Sequence, residues 1–110
     1  MSFVFTTKRT VKNWPATLFV AANNGDVEQH KISFDLELLP DDQYIELLNK
    51  SPKDFFDEAI KGWSGIGCAD GTDMTDTPDN REALYNWPPF ANAALRAYRQ
   101  AASGEAARKN

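Results

Sequence analysis

The sequence predicts an α+β fold, with an N-terminal antiparallel β-hairpin or three-stranded sheet followed by about four helices packed on it. Three observations carry this expectation. Alternating segments rich in β-branched and aromatic residues flank Asn23-Asn24-Gly25-Asp26, helix-start chemistry recurs at Pro40, Ser51 and Thr77, and Trp87-Pro88-Pro89 breaks the chain before an alanine-rich stretch.

In chain order, Phe3 and Phe5 alternate ahead of Thr6-Thr7 and predict a short strand, while Trp14-Pro15 can begin an edge strand because proline lacks a donor. Ala16 to Ala22 predicts the first arm of a hairpin, and the following asparagines and glycine tolerate the positive φ of a tight turn. The return run from Val27 to Leu38 places Ile32, Phe34, Leu36 and Leu38 on one face and Ser33, Asp35 and Glu37 on the other. Asp41-Asp42 then favours a helix from Asp41 to Lys50, since acids suit the positive end of the helix dipole. Ser51-Pro52 supplies a cap and a first-turn proline for a second helix, whose apolar residues Phe55, Phe56, Ala59, Ile60 and Trp63 recur at helical spacing, so its end is expected at Gly62 or Trp63. The segment beyond reads as a glycine-rich hinge between helices. Thr77-Pro78-Asp79 starts a third helix to about Asn86, and Phe90, Ala94, Leu95 and Tyr98 give the last helix a narrow apolar face. Residues 1–102 are expected to form a single α+β domain and residues 103–110 a flexible tail, because Ser103 to Asn110 has no large apolar side chain.

Composition excludes several classes of function. A chain of 110 residues with 42% hydrophobic content supports one modest core. Its net charge of −4 opposes nonspecific attraction to nucleic-acid phosphates and anionic lipid, and no apolar run approaches the length of a membrane span. Neither nucleic acid nor membrane is expected as a partner, and the chain is expected to be soluble. Cys68 is the single cysteine, so neither an internal disulfide nor a multi-thiolate metal site can form within one chain.

Few residues are placed to carry chemistry. His30 has no local metal-ligand pattern, and no GxSxG, Walker or HExxH motif occurs. Asp70, Asp73, Asp76 and Asp79 offer oxygen ligands on a flexible loop, but their three-residue spacing departs from the alternating EF-hand pattern and suits a solvated acidic loop. No enzyme activity, cofactor or metal is therefore expected. Trp63 and Trp87 have the character of interface anchors, but packing at a core edge is the stronger expectation for each, Trp63 following the apolar face of the second helix and Trp87 sitting at a proline-bounded corner.

The ordered landmarks are Asn13-Trp14-Pro15, the turn at Asn23 to Asp26, Ile32-Ser33-Phe34, Ile60-Lys61-Gly62-Trp63, Asp70-Gly71, Thr77 to Leu84, the alanine-rich helix and the terminal Ala107 to Asn110. In that order, over nearly the whole chain, the sequence resembles the small tail assembly chaperones of long-tailed bacteriophages and prophages. The resemblance implies a nonenzymatic protein of the bacterial host cytoplasm. It would bind the tape measure protein during tail morphogenesis, with tail tube subunits as a second class of partner, and be absent from the mature virion. The alternative is a minor structural tail-tube or tail-completion protein. The residues expected to contact the partner are Trp63 and Ile66 at the hinge and Phe90, Leu95 and Tyr98 on the last helix; the family motif itself assigns them no role. Shielding apolar surface also makes a homo-oligomer an expectation.

Overall fold

Asn24 and Gly25 take positive φ (63° and 81°) in a single 3-10 turn, closed by the Ala22 N–H donating to the Asp26 carbonyl at 2.8 Å. This turn reverses the chain between two long antiparallel strands, β1 (Arg9–Ala21) and β2 (Val27–Leu38). A computed structural model describes residues 2–104 and continues through α1 (Asp41–Lys50), α2 (Pro52–Ala59), β3 (Ile60–Ser64), α3 (Pro78–Tyr85) and α4 (Pro88–Ser103). The sheet order is β1-β2-β3 and every pairing is antiparallel, so a three-stranded antiparallel sheet with four α-helices among the described residues agrees with the predicted α+β class, its third strand inserted between α2 and α3.

The third strand is not the predicted one. Residues 2–6 have no regular structure, and Phe3, Val4 and Phe5 remain 73–76% exposed. The strand forms instead from Ile60 to Ser64, where the sequence reading placed the end of the second helix and a hinge. Ile60 caps α2 by donating its N–H to the Phe56 carbonyl, yet its own backbone is extended (φ −90°, ψ 112°) and pairs with Leu36. A bulge explains the misreading. Ile60 faces Leu36 and Gly62 faces Asp35, leaving Lys61 as the extra residue. That insertion brings Ile60 and Trp63 to one face at a separation of three, which imitates helical periodicity.

The same device occurs across the sheet. Lys12 and Asn13 together oppose Asp35, with Asn13 at φ 53° and its N–H donating to Asp35 Oδ1 at 2.9 Å, so the edge strand starts at Arg9 and not at Trp14. Both neighbours of β2 therefore bulge at the level of Asp35, which increases local twist and wraps the sheet around its helices. Within β2, Ile32, Phe34 and Leu36 are buried as the alternation predicts, while Leu38 is half-buried.

Helices α1, α2 and α3 begin where sequence chemistry places them, whereas α4 takes Pro88 and Pro89, read as a break, into its first turn. Ser51 Oγ accepts from the Lys53 N–H and Thr77 Oγ from the Asn80 N–H, each satisfying an otherwise unpaired first-turn donor. Helix α4 lies against β1 and β2 through Phe90, Ala93, Ala94, Ala97 and Tyr98, the alanines permitting close approach. Phe90 meets Phe34 edge-to-face at 5.5 Å, and the Tyr98 ring stacks on Tyr44 while meeting Phe55 edge-to-face. The Tyr98 hydroxyl also accepts the Leu39 N–H at 2.9 Å, fixing the exit of β2 to the last helix. Helix α4 runs through Ser103, whose hydroxyl donates to the Arg99 carbonyl, and Gly104 closes it at φ 77°. Of the expected tail, Ser103 lies in α4 and Gly104 caps it, and residues 105–110, with the terminal landmark, lie outside the described residues.

Gly65 ends β3 under two constraints at once. Its φ is 90°, and a Cβ there would stand 3.1 Å from the Lys31 carbonyl oxygen and 3.2 Å from the Ile32 Cα. The Gly65→Ala variant is expected to lose about 1–3 kcal/mol of unfolding free energy in urea titration. The Gly71→Ala variant, at similar φ but in open space, should lose less.

Candidate functional site

The segment from Gly65 to Thr77, read from sequence as a flexible hinge, is an ordered loop. The Met74 N–H donates to the Ile66 carbonyl at 2.9 Å and the Cys68 N–H to the Thr72 carbonyl at 2.7 Å, with Gly67 and Asp73 bridged between them. At the tip, Asp70 Oδ1 accepts from both the N–H and the hydroxyl of Thr72. These two bonds hold the exposed Asp70 carboxyl below its ordinary value, the side-chain bond first. At the base, Trp63 Nε1–H donates to the Met74 carbonyl at 3.1 Å, so the indole pins the returning arm of the loop to the sheet.

Arg81 fastens the other end. Its guanidinium pairs through two nitrogens with the Asp76 carboxylate and donates to the Ile60 carbonyl at 2.8 Å and the Tyr85 hydroxyl at 2.8 Å. It also lies over the Trp63 ring, 5.6 Å from the centroid. Tyr85 in turn donates to Asp57 on α2. One side chain on α3 therefore ties the loop, the start of β3, the Trp63 indole and, through Tyr85, the second helix. The Asp76 bond raises the Arg81 pKa further above its already high value, against the opposing effect of burial. Burial first, and then the bond to Asp57, raises the Tyr85 phenol.

The four loop acids do not act as one group. Asp70 is committed to its own turn, Asp76 to Arg81, and Asp79 lies in the first turn of α3. Among the described residues, no three of His, Cys, Asp and Glu converge as metal ligands. No helix among them is long and apolar enough to cross a membrane.

What the ordered loop builds is a groove. Leu18 and His30 of the hairpin, Ile66 and Met74 of the loop, and Leu84 and Trp87 at the corner between α3 and α4 enclose about 420 Å³ of space open to solvent. Leu18 and Leu84 are core residues that form its floor, Ile66 and Met74 are half-buried walls, and Trp87 is 37% exposed. No lysine or arginine lines it. Acids adjoin the lining: Glu28 holds His30 at 3.2 Å and Asp73 is bridged to the lining Gly67, whereas Glu82 faces a separate concavity with Ser51 and Lys53. Among the described residues, Asp73, Asp79 and Glu82 are exposed and engaged in no ion pair.

The five residues expected to contact a partner are thereby separated. Ile66 lines the groove, and Trp63 braces the loop behind it. Phe90 (0% exposed) and Tyr98 (3%) are core, packed on Phe34 and on Tyr44 and Phe55, and the folded chain offers neither to a partner. Leu95 is half-buried against the core on α4, away from the groove lining. Leu84 faces inward as the helical spacing of α3 predicts, and Met74, in an irregular loop, follows no periodicity that would mark it. Trp87 carried a usable signal, a large aromatic before two prolines at a chain corner. Comparison with protein-family models, curated proteins and solved structures finds no match.

Two outcomes follow from the network. The Arg81→Met variant strands the Ile60 carbonyl and the Asp76 carboxylate and is expected to cost about 1.5–3 kcal/mol in urea unfolding. Tyr85 and Tyr98 both titrate higher in the folded chain than the free phenol at 10.0. The unfolded chain therefore releases those protons first, and their stabilisation is complete below about pH 10 and lost as pH rises above it. Unfolding free energy measured from pH 8 to 11 should fall above pH 10, and the Tyr85→Phe variant should flatten that fall.

Proposed function

We propose that the chain is a phage or prophage tail assembly chaperone that binds the tape measure protein during tail morphogenesis, without catalysis. The observation that carries this reading is the open apolar groove beside the Ile60 to Trp63 and Asp70-Gly71 landmarks. Gly62 permits close approach to Asp35 across the bulge, Trp63 pins the loop, Gly65 turns the chain off the sheet, and Asp70 closes the loop tip. Two of the landmarks, Ile60 to Trp63 and Asp70-Gly71, thus lie in the segment that frames one groove wall. A groove with an apolar floor suits the helix-in-groove mode of recognition, in which an amphipathic helix lays its apolar face into the protein. Long hydrophobic helices of a tape measure protein would require such cover until tail tube subunits assemble around them.

Coexpression with the tape measure protein encoded nearby, followed by size-exclusion chromatography with light scattering, tests the proposal. The expected outcome is a larger soluble fraction of the tape measure protein and one co-eluting complex. Insoluble tape measure protein beside free chain, together with this chain in purified mature particles, would favour the virion-component alternative.

A further inference from the structure

The N-terminal arm presents apolar surface with no partner of its own. Phe3, Val4 and Phe5 are 73%, 76% and 76% exposed, the largest exposures among the exposed large hydrophobics of the described residues. The Arg9 guanidinium over the Phe3 ring at 5.7 Å is the one aromatic or cation contact this segment makes among the described residues. Basic residues follow directly: Lys8, Arg9 and Lys12 are exposed, and none is in an ion pair among the described residues. At the other end of the hairpin lies the converse surface, the apolar groove with Glu28 held on its lining His30 and Asp73 bridged to its lining Gly67.

The arm cannot reach the groove of its own chain. Arg9 and Leu18 are nine residues apart along β1, a separation of about 30 Å at the rise of an extended strand. Phe3 is six residues before Arg9 and spans about 20 Å at full extension, and Phe5 less. Even turned straight back along the strand, the arm falls about 10 Å short. A second chain has no such limit, and an antiparallel pair brings each arm toward the other's groove, the self-complementary arrangement of a two-fold dimer.

We propose that the chain self-associates by docking the Phe3-Val4-Phe5 arm of one copy into the groove formed by Leu18, Ile66, Met74, Leu84 and Trp87 of a second copy. Lys8 and Arg9 then lie toward the carboxylates that flank the groove. Burial of two phenylalanines supplies most of the affinity, and the charges favour encounter and orientation. Docking also covers the groove before the partner proposed above arrives; that consequence rests on the chaperone reading, whereas the self-association does not.

The test is light scattering after size exclusion over a concentration series of the full chain at low and high salt. A dimer that weakens with salt is expected. The Phe3→Ser/Phe5→Ser variant, altered outside the core, should raise the dimer dissociation constant by about tenfold or more. A synthetic Ser2–Arg9 peptide added to that isotopically labelled variant should shift the amide resonances of Ile66, Met74 and Leu84. A chain that stays monomeric at every concentration, a dimer indifferent to the double substitution, or peptide-induced shifts confined to another surface would each overturn the proposal. Tape measure binding by the Phe3→Ser/Phe5→Ser variant, measured separately, distinguishes failure of this inference from failure of the chaperone reading.

Discussion

Strand β2 is the one strand hydrogen-bonded along both edges, and the level of Asp35 is where both of its neighbours slip by a residue. The rest of the fold follows from that double bulge. On one side it returns Trp14 to the core face beside Val11, and Asp35 satisfies the displaced Asn13 N–H. On the other it aligns Ile60 with Trp63, and glycine at 62 leaves room for the Asp35 carboxylate, 3.4 Å from where a Cβ would stand. The added twist lets Phe34 and Leu36, both fully buried, serve two helices.

Placement of Trp63 links this core to the surface. Its ring meets Phe90 of α4 edge-to-face with centroids 5.9 Å apart, Arg81 lies over it, and its N–H holds the loop. The groove wall is therefore an extension of the core and not an appended flexible segment. Such rigidity lowers the ordering cost of binding, because the loop is set before any partner arrives. The apolar floor and acidic surroundings favour a ligand with an apolar stripe and basic flanks, and disfavour nucleic acid on charge alone.

Much of the fold was legible in the sequence because local chemistry decides it. The Asn23 to Asp26 turn, the alternation through Phe34, and the caps at Ser51 and Thr77 each act within a few residues of the sites that show them. The third strand was not legible, because a bulge converts strand periodicity into the three-residue spacing of a helix, and only the free edge of β2 decides between them. The candidate site was legible in part. Ile66 lines the groove and Trp63 braces the loop behind it, whereas Phe90 and Tyr98 satisfy the same helical pattern by packing inward. Arg81 gave no signal, since its five partners come from residues 57 to 85 and meet only after the chain has folded.

The groove is the centre of this account, and amide hydrogen exchange measured on the chain alone and in complex with the tape measure protein examines it most directly. The account predicts new protection concentrated at residues 65–75, 83–87 and the facing hairpin around Leu18 and His30. Protection confined to α1 and the outer side of α4, with the groove segments unchanged, would contradict it.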